Sequence, residues 1–186
     1  MVDSILSNLE IARKRSTIVQ DLELKDREYL VATIHRQSNT DNVENLMNII
    51  NTLGRSKATI VFPVHPRTKN TLQSNGLWEK MPENIVVTEP LGYLDMLRLM
   101  SSADKVITDS GGIQKEAYIM RVPCITVRNT TEWTETVEDG WNVLVGTDMK
   151  KLADNIEHFR PTGSINNKYG SGDAGEKIAE VLEHLA

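Results

Sequence analysis

Thr108-Asp109-Ser110-Gly111-Gly112-Ile113-Gln114-Lys115-Glu116 is the stretch on which the fold turns. The run Lys105-Val106-Ile107-Thr108 predicts a short buried strand. Ile113, Ala117 and Met120 then recur at helical spacing. The stretch therefore reads as strand, tight Gly turn and helix N-terminus. Two glycines carry no Cβ, so a ligand can approach the backbone closely. The first amides of a helix have no partner within it and point outward, which suits phosphate. Glu116 lies one turn further in, placed to accept hydrogen bonds from hydroxyls of the same ligand. Capping does not require it, because Ile113 rather than an acidic residue stands three places after Ser110. The plain alternative is an ordinary strand-to-helix turn with a solvated Glu116.

Outward from this stretch, the same alternation repeats. Apolar runs at 29–34, 59–64, 85–88, 124–127 and 141–145 predict five more strands. Pro63 marks the end of its strand or an edge position, since it cannot donate to a ladder. Helical spacing is clear at 3–20, 43–53, 93–102, 148–159 and 174–185, and a polar helical stretch covers 68–73. Residues 37–41 and 162–172 read as loops. Six short apolar strands alternating with helices predict an α/β fold, a doubly wound parallel sheet covered on both faces.

At 186 residues the chain is long enough for one good core and is expected to form a single domain. Hydrophobic residues make up 39% and charged residues 25%, the balance of a globular protein. A net charge of −5 and a pI near 5.4 argue against a general nucleic-acid binder. No apolar run is long enough to span a membrane. The one cysteine, Cys124, lies in an apolar run and reads as a buried thiol. With no disulfide pair possible within the chain and no signal-like start, a cytoplasmic protein is expected.

In open parallel sheets, ligands bind outside the carboxyl ends of the strands. Those ends carry His35-Arg36, His65-Pro66, Leu91-Gly92, Asp109-Ser110-Gly111-Gly112, and Arg128 with Thr130-Thr131-Glu132. His158 and His184 fall on predicted helices and read as surface residues. Singly, each strand-end residue has a bland reading: a histidine there often bonds backbone, and either arginine could be a surface charge. Together, cations, neutral donors and a phosphate-type turn suit a ligand with several negative charges and several hydroxyls, such as a nucleoside diphosphate. The two histidines come from separate strands without close acidic or cysteine partners, so no metal site is expected. A Gly-x-x-x-x-Gly-Lys-Ser/Thr motif does not occur, which excludes a P-loop kinase or ATPase.

Four segments carry a resemblance: Thr33-Ile34-His35-Arg36 with Asn39, Pro63-Val64-His65-Pro66, residues 108–117, and Val127-Arg128-Asn129-Thr130-Thr131-Glu132. In order and spacing they resemble the C-terminal half of the non-hydrolysing UDP-N-acetylglucosamine 2-epimerases, over nearly the whole chain. The resemblance implies a Rossmann-like domain, residues 1–186, forming one half of a glycosyltransferase-B-type fold. UDP-GlcNAc or UDP would lie in the cleft between it and an N-terminal domain that this sequence lacks. The resemblance further implies that Ser110, Gly111 and Gly112 hold the diphosphate and Glu116 the ribose. Arg128 would line the nucleotide site, and the turn from Leu91 to Met96 would lie against the uracil. His35 matches the family's active-site histidine near the phosphates, with Arg36 and His65 lining the same cleft.

The activity implied is reversible conversion of UDP-GlcNAc to UDP-ManNAc by elimination and re-addition of UDP, without a cofactor. The proton-transfer carboxylates would lie in the N-terminal half, so this chain alone is expected to be inactive. A homodimeric whole enzyme, supplying cell-surface polysaccharide biosynthesis, belongs to the same implication. Two departures bear on the sugar. The family's usual His-Arg-x-Glu-Asn reads with Ser38 in place of the Glu. Its usual Thr-Thr-Glu-Arg-Pro-Glu reads Thr130-Thr131-Glu132-Trp133-Thr134-Glu135. A hydrolysing relative, an enzyme for a diacetamido UDP-sugar, and a non-catalytic nucleotide-binding module remain alternatives.

Overall fold

A computed structural model describes residues 1–166 and 168–185. Six strands form one sheet: β1 (Tyr29–Thr33), β2 (Thr59–Pro63), β3 (Ile85–Thr88), β4 (Lys105–Thr108), β5 (Cys124–Thr126) and β6 (Asn142–Leu144). Their order is β3-β2-β1-β4-β5-β6 and every pairing is parallel. The chain thus builds outward from β1 to one edge, crosses back, and builds outward from β4 to the other.

The sheet is buried on both faces because each strand alternates its apolar side chains. In β1, Leu30 and Ala32 enter one core with Ile60, Phe62, Ile107 and Ile125. Tyr29 and Val31 enter the other with Val61, Val106 and Cys124. Helices α4 (Val43–Gly54) and α9 (Met149–His158) close the first core through Leu46, Ile49, Leu53, Leu152 and Ile156. Helices α1 (Val2–Arg15), α6 (Tyr93–Ser102) and α7 (Gly111–Ile119) close the second through Ile5, Ala12, Leu97, Met100 and Ala117.

Between α1 and α4 the chain also forms the short helices α2 (Ile18–Asp21) and α3 (Gln37–Thr40). Residues 37–41, expected as a loop, are therefore mostly one helical turn. Local composition did not reveal it, because Asn39 and Thr40 are buried by tertiary contacts rather than by an apolar pattern. The polar stretch is a full helix, α5 (Pro66–Ser74), and a further turn, α8 (Thr134–Glu138), precedes β6. Pro63 pairs with Thr88 at the last position of β2, which lies inside the sheet. It marks a strand end, not an edge.

Cys124 is buried as expected, and burial pushes its thiol pKa up to about 12. His158 and His184 are exposed. Among the described residues no helix is long and apolar enough to cross a membrane. The last helix, α10 (Ala174–Leu185), leaves Ile178, Val181 and Leu182 about 60% exposed, at 61%, 58% and 62%.

Candidate functional site

The chain leaves β1 towards β2 on one side and leaves β4 towards β5 on the other. The loops beyond these two central strands diverge, and a crevice opens at their carboxyl ends. Its floor is sewn together by polar side chains. The Thr33 and Thr108 hydroxyls share a hydrogen bond of 2.7 Å across the two strands, and the Ser110 N–H donates to Thr108 Oγ1 at 3.0 Å. Asp109, fully buried, accepts from the His35 N–H at 3.0 Å, the Arg36 N–H at 2.9 Å and Asn39 Nδ2 at 2.9 Å. Asn39 Nδ2 also donates to the Val127 carbonyl at 3.1 Å. A buried carboxylate is tolerable only with such donors around it. Here the donors come from the β1 loop, so Asp109 fixes His35 and Arg36 against the Gly turn.

Ser110 is the N-cap of α7, followed by buried Gly111 and exposed Gly112. A Cβ on Gly111 would run into the Glu132 carboxylate, whereas one on Gly112 would only touch Ser110 Oγ at 3.9 Å. The His35 ring lies with Nδ1 3.5 Å from Asp109 and stacks on His65, centroids 5.5 Å apart. His65 Nδ1 accepts from the Arg67 N–H at 3.1 Å and so caps α5, with Pro66 in the first helical turn. The backbone-bonding reading of His65 therefore holds for one nitrogen. That bond leaves the proton of the neutral ring on Nε2. Arg36 and Arg128 converge on Glu132, at 3.5 Å and 2.8 Å. A bond to its own backbone N–H and the Arg128 guanidinium hold the Glu132 carboxyl below the usual range.

Leu91 and Met96 are half-buried where α6 begins, packed on the second core. Glu116 looks towards the same helix start, facing the exposed Tyr93 hydroxyl. Burial raises the Glu116 carboxyl pKa above its ordinary 4.5, against a smaller lowering by Tyr93. The structure thus brings His35, Arg36, Ser110, Gly111, Gly112 and Arg128 to the crevice. His65 lies on one flank and Glu116, Leu91 and Met96 on the other.

Sequence reasoning gave no role to Asp109, Asn39 or Gln114. Gln114 is fully buried, and its Oε1 accepts from Thr131 Oγ1 at 2.6 Å and Asn142 Nδ2 at 3.2 Å. Only Asp109 carried a local signal: a carboxylate that directly closes a buried apolar strand must find a partner, whereas Asn39 and Gln114 stand among polar neighbours.

Beside the turn, Arg36, Ser38, Asn39, Arg128, Asn129 and Thr130 help line a cavity of about 220 Å³. Cations, a helix N-terminus, hydroxyls and amides in one crevice can bind a polyanionic, polyhydroxylated ligand. Among the described residues no cluster of three His, Cys, Asp or Glu side chains could hold a metal ion.

Comparison with known proteins agrees with this architecture. The chain is 47% identical to a UDP-N-acetylglucosamine 2-epimerase homolog from Methanococcus maripaludis, across all of this chain and 53% of that protein. It is 38% identical to the UDP-2,3-diacetamido-2,3-dideoxy-D-glucuronate 2-epimerase of Pseudomonas aeruginosa, over 84% of this chain and 45% of the other. The solved UDP-GlcNAc 2-epimerase of Methanocaldococcus jannaschii, in complex with UDP-GlcNAc and UDP, superposes with a TM-score of 0.87 at 39% identity. That match covers 98% of this chain and 52% of the other. The chain therefore spans about half the length of the relatives it matches. Its fold is the Rossmann-like doubly wound half of a glycosyltransferase-B-type architecture. The family model described as UDP-N-acetylglucosamine 2-epimerase matches residues 1–183, and the chain belongs to that family.

Proposed function

We propose that this chain is the C-terminal, UDP-sugar-binding half of an enzyme that interconverts UDP-GlcNAc and UDP-ManNAc. The observation that carries the reading is the likeness of 98% of the chain to a solved epimerase in complex with UDP-GlcNAc and UDP. In this reading the diphosphate lies on Ser110, Gly111 and Gly112, at the N-terminus of α7. Glu116 accepts from the ribose hydroxyls, and the uracil lies against the segment from Leu91 to Met96. Arg128, Arg36 and His65 line the cleft.

His35 faces the phosphates. Its ring is oriented through the Asp109 carboxylate, and as a cation it stabilises UDP as UDP leaves C1 and returns. The other half of the protein supplies the opposing wall and the carboxylates that move the C2 proton. The exposed apolar strip of α10 supports a further surface that covers it. The whole enzyme would be a cytoplasmic homodimer, serving cell-surface polysaccharide synthesis.

A second reading is favoured by the diacetamido-glucuronate epimerase among the relatives and by Ser38 in the crevice wall. The sugar would then be a diacetamido derivative on the same UDP handle.

Calorimetry with UDP tests the shared part. Half a cleft leaves the ligand partly hydrated, so the dissociation constant should be on the order of 0.1–1 mM, about −5 kcal/mol. No binding at ten times that concentration would remove the nucleotide assignment.

A further inference from the structure

The Glu132 carboxylate lies where an anion belongs. One oxygen is against Gly111 at the first turn of α7, in the space a Cβ would take. The two oxygens also meet the two rim guanidinium groups, Arg36 at 3.5 Å and Arg128 at 2.8 Å. A helix N-terminus and two arginines are the components of an oxyanion seat, and the Glu132 side chain takes up both arginines and the space beside Gly111.

The placement is built in rather than incidental. Buried Gln114 holds the Thr131 hydroxyl at 2.6 Å, and Thr131 Oγ1 accepts the Trp133 N–H at 3.0 Å. The backbone on both sides of Glu132 is thereby fixed, while its side chain remains about half exposed at 45%. Next to it, the buried Trp133 indole N–H has no hydrogen-bond partner among the described residues. Its nitrogen lies beside the same place, 3.4 Å from the position of a Cβ on Gly111. A buried donor left unsatisfied is uncommon and calls for an explanation.

We propose that Glu132 is an internal competitor for the phosphate seat, and that Trp133 is the donor that completes the seat once Glu132 swings out. The proposal rests on the nucleotide reading above. A diphosphate carries more charge than one carboxylate and can engage both arginines, the α7 amides and the indole at once. Glu132 then moves into solvent, at the loss of two partly exposed ion pairs. A nucleoside without phosphates has nothing to exchange for those pairs and leaves Glu132 in place. The seat therefore selects for a diphosphate and rejects weaker anions.

Calorimetry with UDP and with uridine, on the wild-type chain and on Glu132→Gln and Glu132→Ala, tests this. Without the competitor, two surface ion pairs need not be broken, so UDP should bind about tenfold tighter to both variants. Uridine affinity should not change. Glu138→Gln removes the same charge from an exposed pair with Lys168 and should not tighten UDP comparably.

A single-tryptophan protein, with Trp78 and Trp141 replaced by Phe, adds a direct reading. The fluorescence of Trp133 should shift with UDP and not with uridine. Unchanged or weaker UDP binding in both Glu132 variants, equal tightening of uridine, or equal tightening in Glu138→Gln overturns the competitor role. Failure of the wild type and both variants to bind UDP at all instead overturns the nucleotide reading, and the seat with it.

Discussion

Glu116 shows how one residue joins stability to function. Burial raises its pKa above 4.5, so the fold favours the neutral acid. At neutral pH the folded state must hold a charge it disfavours, and the unfolded chain does not. The folded pKa lies above the unfolded one. The destabilisation is therefore complete above the folded pKa and fades as pH falls below the ordinary value of 4.5. Glu116→Gln should raise the melting temperature at neutral pH, and the difference from wild type should close on acidification. The same substitution should weaken UDP and uridine together, by about 1.5–3 kcal/mol for the lost charged acceptor. Melting curves across pH, with uridine titrations beside them, check both halves. Loss of stability at neutral pH would mean that Glu116 is a structural acceptor, not a strained site residue. Evolved sites commonly hold such residues at the expense of stability.

Helix α3, the single turn Gln37–Thr40, decides the shape of the crevice at the scale of elements. Four residues cannot hold a helical turn in water, so tertiary bonds must. Asn39 supplies them: its amide donates to Asp109 and to the Val127 carbonyl, and its oxygen accepts from Asn45 at 3.1 Å. Three segments far apart in the chain meet at one side chain. Asn39→Ala should leave the Asp109 carboxylate and the Val127 carbonyl short of a donor in a buried place, and should cost about 2–4 kcal/mol. Chemical denaturation gives that figure. Hydrogen exchange should show amides of 35–40 opening while those of β1 stay protected, because β1 is held by β2 and β4 on either side. Uniform exchange over both segments would show that α3 does not depend on this bolt.

For the whole molecule, the division of labour is the issue. The crevice lies on one rim of one sheet; His35, His65, Glu116 and Glu132 are its titratable candidates, and Asp109 beneath them is fully buried and taken up by the His35 and Arg36 N–H groups and Asn39. In the proposed mechanism Glu116 serves the ribose, His35 the phosphates, and Glu132 the seat. His65 Nδ1 is occupied in capping α5. Inversion at C2 requires an acid and a base on opposite faces of the sugar, and one rim presents only one face. This chain by itself should therefore exchange no proton. Proton NMR of UDP-GlcNAc incubated with it in D₂O should show the C2 signal intact, whereas the complete protein should wash in deuterium. Enzyme-like exchange by these 186 residues would place the base on this half.

The periodic features were legible in the sequence. Strands 29–34, 59–64 and 105–108 and the helices between them were readable, since burial of a strand on two faces and of a helix on one leaves a repeating apolar pattern. So was the Ser110-Gly111-Gly112 turn, because it needs small residues at consecutive positions. What the tertiary structure alone decided lacks any period. Nothing local to Asn39 says that its amide meets Asp109, 70 residues on, and the Val127 carbonyl, 88 residues on. Nothing in Thr130-Thr131-Glu132-Trp133 says that the carboxylate turns onto Gly111 rather than into water. The interior position of β2, and with it the meaning of Pro63, follows from strand order. Strand order depends on how two sets of crossovers pack their helices, and no strand carries it in its own residues. Polar contacts of this kind are specified by single side chains meeting across the fold, and only the fold brings them together.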